Sequence, residues 1–480
     1  MKNIVWLIKL LTGTLLSCKK SFIEIAPESS VSVDILYKTD KDFQDAINGG
    51  YNVLQTQYPN MWVFGDLPAD DVSEDIPNHF DHVTFDQFTV TDRQPILIST
   101  WRNYYNLVSR VNAVLDNIDK ADPLVVKNKD RYIGEAKFMR ALAYFDLVRI
   151  FGDVPMITTN VSVEESYKIG REKADKIYAE VIIKDLLDAE AKLPTKYTGT
   201  DVGRATKGAA KSILGKVYLT RKDFVNAEAK LKEVTTLGYA LLPNFKDLWN
   251  YTVNEHHSEY IFDIEYEEGI GEGSPFTHTF SPSWTALTDL YGIKGGTPSN
   301  DGAPTPSVYA AFDPKDVRRS ITVNYGITIN GTFTPIPTTS IQAAKSFTTK
   351  YFTPVASSND SKANWKVIRY ADVLLMLAEA MNENGKTTEA LTYLNMVHTR
   401  AGLTAYAGLT QADAREKIYL ERRLELFLEG QRWFDLVRTG RALTTLQSVG
   451  MKSHMTVFPV PLTQIQIMNN KDLFPQNPGY

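Results

Sequence analysis

The fold is decided by two stretches with one layout: residues 206–238, TKGAAKSILGKVYLTRKDFVNAEAKLKEVTTLG, and residues 371–403, ADVLLMLAEAMNENGKTTEALTYLNMVHTRAGL. In each stretch, two segments with apolar residues at helical spacing flank a short polar turn. The predicted helices are 206–219, 224–237, 371–383 and 387–400. Each stretch therefore predicts a pair of antiparallel helices joined by a tight turn.

These helix pairs resemble degenerate tetratricopeptide repeats. Small residues such as Gly215, Ala227 and Ala378 let the two helices of a pair approach closely. Because a single hairpin leaves its apolar face uncovered, several pairs must stack. Further helices are predicted from Asp40 onward and at about 98–118, 130–150, 173–191, 411–429 and 431–441. The sequence thus predicts a mainly α protein with a tetratricopeptide-like helical repeat scaffold, over about 98–237 and 366–441.

Two segments interrupt the helical pattern. Residues 240–365 contain short β-like runs, among them EYIFDIEY and SITVNYGITI, which alternate with Gly, Pro and Ser turns. Residues 58–97 carry four prolines and a group of acidic residues. We predict that 240–365 is a loop-rich insertion with short β-strands and that 58–97 is a long functional loop.

The N-terminus has the layout of an export signal. Lys2 precedes an apolar run from Ile4 to Leu16, which is too short to span a bilayer but suits a secretory signal. The sequence Leu15-Leu16-Ser17-Cys18 resembles a bacterial lipobox, and Cys18 is the only cysteine in the chain, so no intramolecular disulfide is possible. The alternative is a buried N-terminal helix with an incidental cysteine. We predict a signal peptide over 1–17, a lipidated tether over 18–40 and one domain over 41–480.

Composition excludes several classes of protein. Apolar residues make up 43% and charged residues 23%, which is a globular balance and not that of a disordered or polytopic membrane protein. The formal net charge of −5 disfavours a nucleic-acid partner, because such proteins carry a basic excess.

Motifs of known catalytic chemistry are missing from the sequence. The glycines at 269, 271 and 273 are followed by Ser-Pro and not by a helix, so they indicate a turn and not a nucleotide loop. His256 and His257 are adjacent and would not share one face of a helix or strand, which disfavours metal binding. A glycoside hydrolase with two acids in 240–365 stays open as an alternative.

In a series of motifs, the chain resembles the SusD/RagB family of nutrient-binding outer-membrane lipoproteins. The motifs are the Trp-to-Asn pattern at 101–112, EAKFMRALAYFDLVRIFGDVP at 135–155, ATKGAAKSILGKVYL at 205–219, RYADVLLMLAEAMNENG at 369–385, ERRLELFLEGQRWFDLVRTGR at 421–441 and QNPGY at 476–480. The resemblance implies a non-enzymatic, lipid-anchored protein on the outer-membrane surface. It would capture oligosaccharides, without a cofactor, and deliver them to a SusC-like TonB-dependent transporter. A peptide or other nutrient ligand, and a scaffold that binds only protein, remain alternatives.

In that family, loops outside the repeats build the ligand surface, often as an arc of aromatic side chains. Sugar rings pack on aromatic faces, and their hydroxyls bond carboxylates and amides. The resemblance therefore points to two zones, 58–95 and 281–302. The candidate ligand residues are Trp62, Asp70, Asp71 and Asn78 in the first zone, which also contains Phe80, and Trp284, Tyr291, Asn300 and Asp301 in the second. For Trp62 and Trp284, an exposed platform and a core position are equally compatible with the sequence.

Acidic residues cluster in two parts of the sequence. Asp66, Asp70, Asp71, Glu74 and Asp75 could hold Ca²⁺ through oxygen ligands, but they lack the spacing of a dedicated calcium loop, and the alternative is a solvated acidic face. We predict no bound metal. The C-terminal motif contains a second group, Arg422, Glu425, Asp435 and Arg438, which we interpret as a structural ion-pair network. Trp101 and Trp433 lie on predicted core faces of helices and are expected to be structural.

Overall fold

The computed structural model describes residues 36–74, 79–253, 255–337 and 346–480. The predicted signal peptide, Cys18 and the tether up to residue 35 lie outside the described residues, as do Asp75 and Asn78. Within the described ranges, none of the helices combines the length and the apolar character needed to cross a membrane.

The protein is mainly helical. In chain order its helices are α1 (Asp40–Gln57), α2 (Met61–Gly65), α3 (Phe80–Asp86), α4 (Pro95–Ile118), α5 (Lys129–Phe151), α6 (Val163–Ser166), α7 (Ala174–Ile177), α8 (Ile183–Lys192), α9 (Lys207–Thr220) and α10 (Phe224–Val234). They continue with α11 (Phe276–Phe280), α12 (Thr285–Tyr291), α13 (Pro306–Ala311), α14 (Arg319–Thr322), α15 (Tyr370–Glu383), α16 (Thr387–Arg400), α17 (Gln411–Glu425), α18 (Arg432–Arg438), α19 (Ala442–Leu446) and α20 (Leu462–Met468). A π-helical turn, Tyr178–Ile182, joins α7 to α8.

Both predicted helix pairs are confirmed. Helices α9 and α10 pack against each other, α15 and α16 do the same, and α10 packs against α15, so the two pairs stack. Local chemistry sets the helix starts, because the Thr206 and Asp223 side chains accept hydrogen bonds from the backbone N–H groups of Ala209 and Asn226. A Cβ on Gly215 would lie 2.5 Å from Leu231 Cδ2, so the close approach within the first pair requires glycine.

The protein also contains short β-strands. The strands are β1 (Val72–Ser73), β2 (Val154–Pro155), β3 (Arg171–Glu172), β4 (Tyr260–Ile264), β5 (Ala303–Pro304), β6 (Gly326–Ile329), β7 (Thr332–Pro335) and β8 (Trp365–Arg369). They form four antiparallel pairs, β1 with β5, β2 with β3, β4 with β8 and β6 with β7. The pair β4–β8 leads directly into α15, and the pair β1–β5 joins residue 72 to residue 304.

The prediction of one long loop over 58–97 is wrong in part, because α2 and α3 lie inside it. Two of its prolines are compatible with helix. Pro59 lies in the first turn of a short 3₁₀ segment, and Pro95 opens α4. A proline in the first turn lacks only an N–H that would have no partner inside the helix. Pro59 and Pro95 therefore mark where helical segments begin.

The C-terminal ion pairs are structural, as predicted, but they are buried. The carboxylate of Glu425 pairs with Arg369 and Arg318, at 2.5 and 2.9 Å, and with Arg400. The guanidinium of Arg422 lies 2.8 Å from Asp372 and 2.9 Å from Asp435. These side chains are at least four-fifths buried, so each charge depends on its partners. Trp101 and Trp433 are also buried, which confirms their structural role.

Candidate functional site

The two predicted ligand zones meet at one surface cavity. Pairing of β1 with β5 places the segment before α3 beside the end of the second zone, with Ser73 opposite Ala303. The cavity, which we call the α3 cavity, is lined by His79, Phe80, Asp81, His82, Ser299 and Asp301. Of the predicted ligand residues that the structure describes, only Asp301 lines it.

Two histidines and two carboxylates meet beside this cavity. In this histidine–carboxylate cluster, one candidate ligand atom from each of Glu74, His79, His82 and Asp301 lies within 4.8 Å of the others. His79 Nδ1 lies 2.6 Å from Asp301 Oδ1 and 3.7 Å from Glu74 Oε1. His82 Nδ1 lies 3.6 Å from Asp301 Oδ2 and 4.0 Å from Glu74 Oε2.

The two histidines of the cluster have different electrostatic environments. The contact with the Asp301 carboxylate raises the pKa of His79 above its ordinary value, because a nearby negative charge favours the imidazolium. Burial lowers the pKa of His82, since removal from water disfavours its charged form. Near neutral pH, His79 therefore carries positive charge more readily than His82.

Backbone hydrogen bonds hold the carboxylates of the cluster in place. The backbone N–H of Asp301 donates to Thr279 O at 2.7 Å, and that of Asn300 donates to Ser281 O at 2.9 Å. Asn300 is buried, adopts a left-handed backbone with φ of 55°, and points its amide at Ser346 O. The backbone N–H of Glu74 donates to Asp86 Oδ2 at 3.1 Å. Asn300 thus supports Asp301 from the protein interior and does not reach the cavity.

Trp62 is a core residue and not an exposed ligand platform. Its side chain is 2% exposed. The ring packs edge-on against His82 and Phe280, with ring centroids 4.9 and 5.6 Å apart. It also lies against Gly302, where an added Cβ would be 3.4 Å from the indole. Trp62 therefore forms the floor beneath His82, and no face is available for a sugar.

Asp70 and Asp71 face arginines and do not form a solvated acidic surface. Asp70 accepts two hydrogen bonds from Arg432, and Asp71 accepts one of 2.6 Å from Arg423. Burial alone would raise the pKa of Asp70, but the bonds and charge of Arg432 lower it overall. Burial raises the pKa of Asp71, although Arg423 opposes the shift. The interpretation as a solvated acidic face is wrong, because arginines distant in the chain neutralise both carboxylates.

Trp284 and Tyr291 pack on a small second core of the insertion. This core consists of Leu287, Ile293, Ile327, Phe347, Phe352 and Val355. The Tyr291 ring meets Phe352 edge-on at 5.0 Å, and both predicted aromatics are half-buried. In contrast, Phe80 is 73% exposed at the α3 cavity. Phe80 is therefore a solvent-exposed aromatic side chain that lines this cavity.

The α3 cavity offers groups that can bind a polar ligand. The Glu74 and Asp301 side chains are 0% and 7% exposed, so both carboxylates lie mostly beneath the surface of the cavity. Phe80, the exposed Asp81 and the Ser299 hydroxyl offer stacking and hydrogen bonding. The sequence analysis missed His79 and His82. Their i, i+3 spacing is the signal that could have found them, because it brings His79, directly before α3, close to His82 in the first turn of that helix.

Comparisons with known proteins agree with the fold. Residues 258–480 match the family model described as SusD family, and residues 22–219 match the model described as starch-binding associating with outer membrane. A SusD-like protein of Formosa agariphila is 29% identical over 97% of each chain. A solved structure of a laminarin-binding SusD-like protein is 27% identical, with a TM-score of 0.80 over 92% of this chain and 100% of that chain. Surface glycan-binding protein A of Bacteroides thetaiotaomicron, solved with laminarihexaose, shares the fold at 22% identity, with a TM-score of 0.77 over 92% of this chain and 100% of that chain.

Proposed function

Because the chain belongs to the SusD/RagB family, we propose that it is a non-enzymatic protein that binds oligosaccharides at the α3 cavity. The observation that carries this proposal is the similarity, over nearly the whole chain, to a protein that binds laminarin. The cavity suits the chemistry of a sugar. A ring can pack its C–H face on Phe80, while its hydroxyls bond the Asp81 carboxylate and the Ser299 hydroxyl.

The proposal also covers the cellular location of the protein and its transport partner. We propose that Cys18 carries a lipid that anchors the protein to the outer membrane, where it passes its ligand to a SusC-like TonB-dependent transporter. The lipobox-like sequence before Cys18 and the family description of outer-membrane association support this location. Several acyl chains, as bacterial lipoproteins typically carry, would anchor the protein firmly, since each buried CH₂ contributes about 0.8 kcal/mol.

Affinity electrophoresis tests the binding proposal. The purified protein is run through gels that contain laminarin or another polysaccharide. We expect retardation in at least one gel and at least a tenfold weaker interaction for Phe80→Ala. The matched control is Tyr167→Ala, an exposed aromatic that lines a different cavity beside Trp101 and Ile467. Trp284→Ala tests the second predicted platform in the same gels.

Two results would contradict the binding proposal. Migration unchanged by every polysaccharide would favour a peptide ligand or a scaffold that binds only protein. Release of new reducing ends from a retained polysaccharide would favour the glycoside hydrolase. An assay of reducing ends on the same samples separates the second result from binding alone.

Fractionation of the native host tests the location. Wild-type protein should sediment with the outer membrane, and Cys18→Ala should appear in the soluble fraction. Co-purification of a TonB-dependent transporter with the wild-type protein would support the partner. Equal membrane association of both forms would rule out Cys18 as the anchor.

A further inference from the structure

We propose that Glu74, His79, His82 and Asp301 form a binding site for a divalent transition-metal ion of the zinc class. One candidate ligand atom from each of these side chains lies within 4.8 Å of the others. Glu74 and the two histidines come from the segment around α3, whereas Asp301 comes from the insertion. The site is therefore assembled by the fold and is not a local sequence motif.

The donor set selects the class of metal. Two imidazole nitrogens and two carboxylates suit zinc and its neighbours, which accept mixed nitrogen and oxygen ligands in a tetrahedral arrangement. Calcium and magnesium prefer ligand sets made of oxygen. Among the described members of the acidic group considered for calcium, Glu74 belongs to this site, while Asp70 and Asp71 pair with arginines.

The distances fit a shared ion. In a tetrahedral zinc site with bonds of about 2.0–2.1 Å, neighbouring ligand atoms lie about 3.3 Å apart. Three of the four measured separations between a histidine nitrogen and a carboxylate oxygen are 3.6, 3.7 and 4.0 Å, too long for hydrogen bonds. The fourth, between His79 and Asp301, is 2.6 Å and would lengthen on metal binding. The four ligand atoms, which lie within 4.8 Å of one another, would draw together by up to about 1.5 Å around the ion, and the contact between His79 and Asp301 would open.

Burial and charge also favour a cation at this point. The Asp301 side chain is almost fully buried, and a buried carboxylate needs a compensating positive charge. Among the described residues, no lysine or arginine forms an ion pair with Asp301. The His82 Nδ1 atom is buried, faces both carboxylates and makes no hydrogen bond with any residue that the structure describes. The two imidazoles are about one-quarter exposed, which leaves an entry path from the α3 cavity.

Surrounding groups hold the ligands for this role. The Trp62 ring packs against His82, and the backbone around Asp301 is held by Thr279 O. Such supporting contacts keep the side chains of a metal site in position. A bound ion would cross-link α3 to the insertion on the two sides of the cavity.

Metal titration of the purified, chelator-stripped protein tests the proposal. Zinc chloride is added in competition with a chromophoric chelator, with calcium and magnesium in parallel. We expect one tight equivalent of zinc, with neither calcium nor magnesium displacing it. His82→Asn and Asp301→Asn should each weaken zinc binding at least tenfold. The control is His256→Asn, which alters another histidine beside a carboxylate, Glu265, and should bind like wild type.

Two measurements on the wild-type protein test the proposal even if a variant fails to fold. Cobalt(II) bound to the wild-type protein should give the intense visible bands of a four-coordinate site, and zinc should raise its melting temperature. Unchanged zinc affinity in folded His82→Asn and Asp301→Asn would overturn the proposal, as would the absence of a stoichiometric zinc site in the wild type. The proposal does not rest on sugar binding, since zinc alone is the probe and gel retardation is measured separately.

Discussion

The guanidinium of Arg432 donates two hydrogen bonds to the carboxylate of Asp70, from Nε to Oδ1 at 2.7 Å and from Nη2 to Oδ2 at 2.9 Å. The two residues lie 362 positions apart in the sequence. This bidentate ion pair holds the segment after α2 against the start of α18. The side chains are 19% and 15% exposed, so the pair is largely shielded from water.

Arg432→Ala should destabilise the protein by about 2–4 kcal/mol, because it leaves the Asp70 carboxylate mostly buried without its main partner. Urea unfolding measures the loss. Arg441→Ala is the matched control, since its ion pair with Glu416 is exposed and should change stability by less than about 1 kcal/mol. Equal effects of the two substitutions would contradict the structural role of Arg432.

Asp66→Asn should flatten the dependence of stability on pH. Burial raises the pKa of Asp66 from 3.8 to about 8, although its Oδ2 accepts a hydrogen bond from Gly430 N. The folded state therefore holds this proton more tightly than the unfolded chain, so the contribution of Asp66 to stability falls as the pH rises from about 4 to about 8.

Asparagine keeps the acceptor for Gly430 and carries no charge. At pH 9, Asp66→Asn should therefore be more stable than wild type by about 1 kcal/mol or more, and the difference should shrink as the pH falls towards 4. Urea unfolding across this pH range measures the change. The exposed Asp45→Asn serves as the control, and a wild-type pH profile in Asp66→Asn would contradict the prediction.

Trp62→Ala should cost about 3–5 kcal/mol of unfolding free energy, as expected when a large buried aromatic is deleted. Trp62→Phe keeps most of the apolar volume and should cost less. If Trp62 is purely a core residue, the folded Trp62→Phe protein will retain wild-type retardation in polysaccharide gels. Loss of retardation at unchanged stability would instead assign Trp62 to the ligand surface.

Gly65→Ala should destabilise the protein by at least about 1–3 kcal/mol, because the added Cβ would lie 2.3 Å from Gly430 O. The obstructing atom is backbone and cannot rotate away. Gly49→Ala is the control within helix α1, where the nearest atom is the mobile end of Arg110 at 3.0 Å. Alanine favours helix, so Gly49→Ala should be neutral or stabilising in a thermal melt. A similar melting temperature for both variants would contradict the close contact.

The parts of the fold that the sequence predicted well depend on local spacing. The pair α9–α10 follows from apolar periodicity, a capping Thr206 and a short turn, all within one stretch of chain. The structure of segment 58–97 was harder to predict. Its prolines were interpreted as helix breakers, although Pro59 and Pro95 lie in the first turns of helical segments. Local composition does not show whether a proline lies in the first turn of a helix, where it is compatible with the helix, or in its interior, where it is not.

The candidate site was predicted only as two separate zones. Their meeting depends on the pairing of Val72 with Pro304, a contact between distant segments. The burial of Trp62 follows from Phe280 and Gly302 packing over it, and neither neighbour could be identified from the residues around position 62.

The sequence by itself determined the helical repeats and the family resemblance, because periodicity, capping and motif order are properties of contiguous residues. Tertiary structure decided the chemical state of the polar residues. Asp70 is neutralised by Arg432, and Asp301 is brought to His79, across hundreds of intervening residues. Charge, burial and metal-ligand geometry are set by neighbours in space, and the folded chain alone brings those neighbours together.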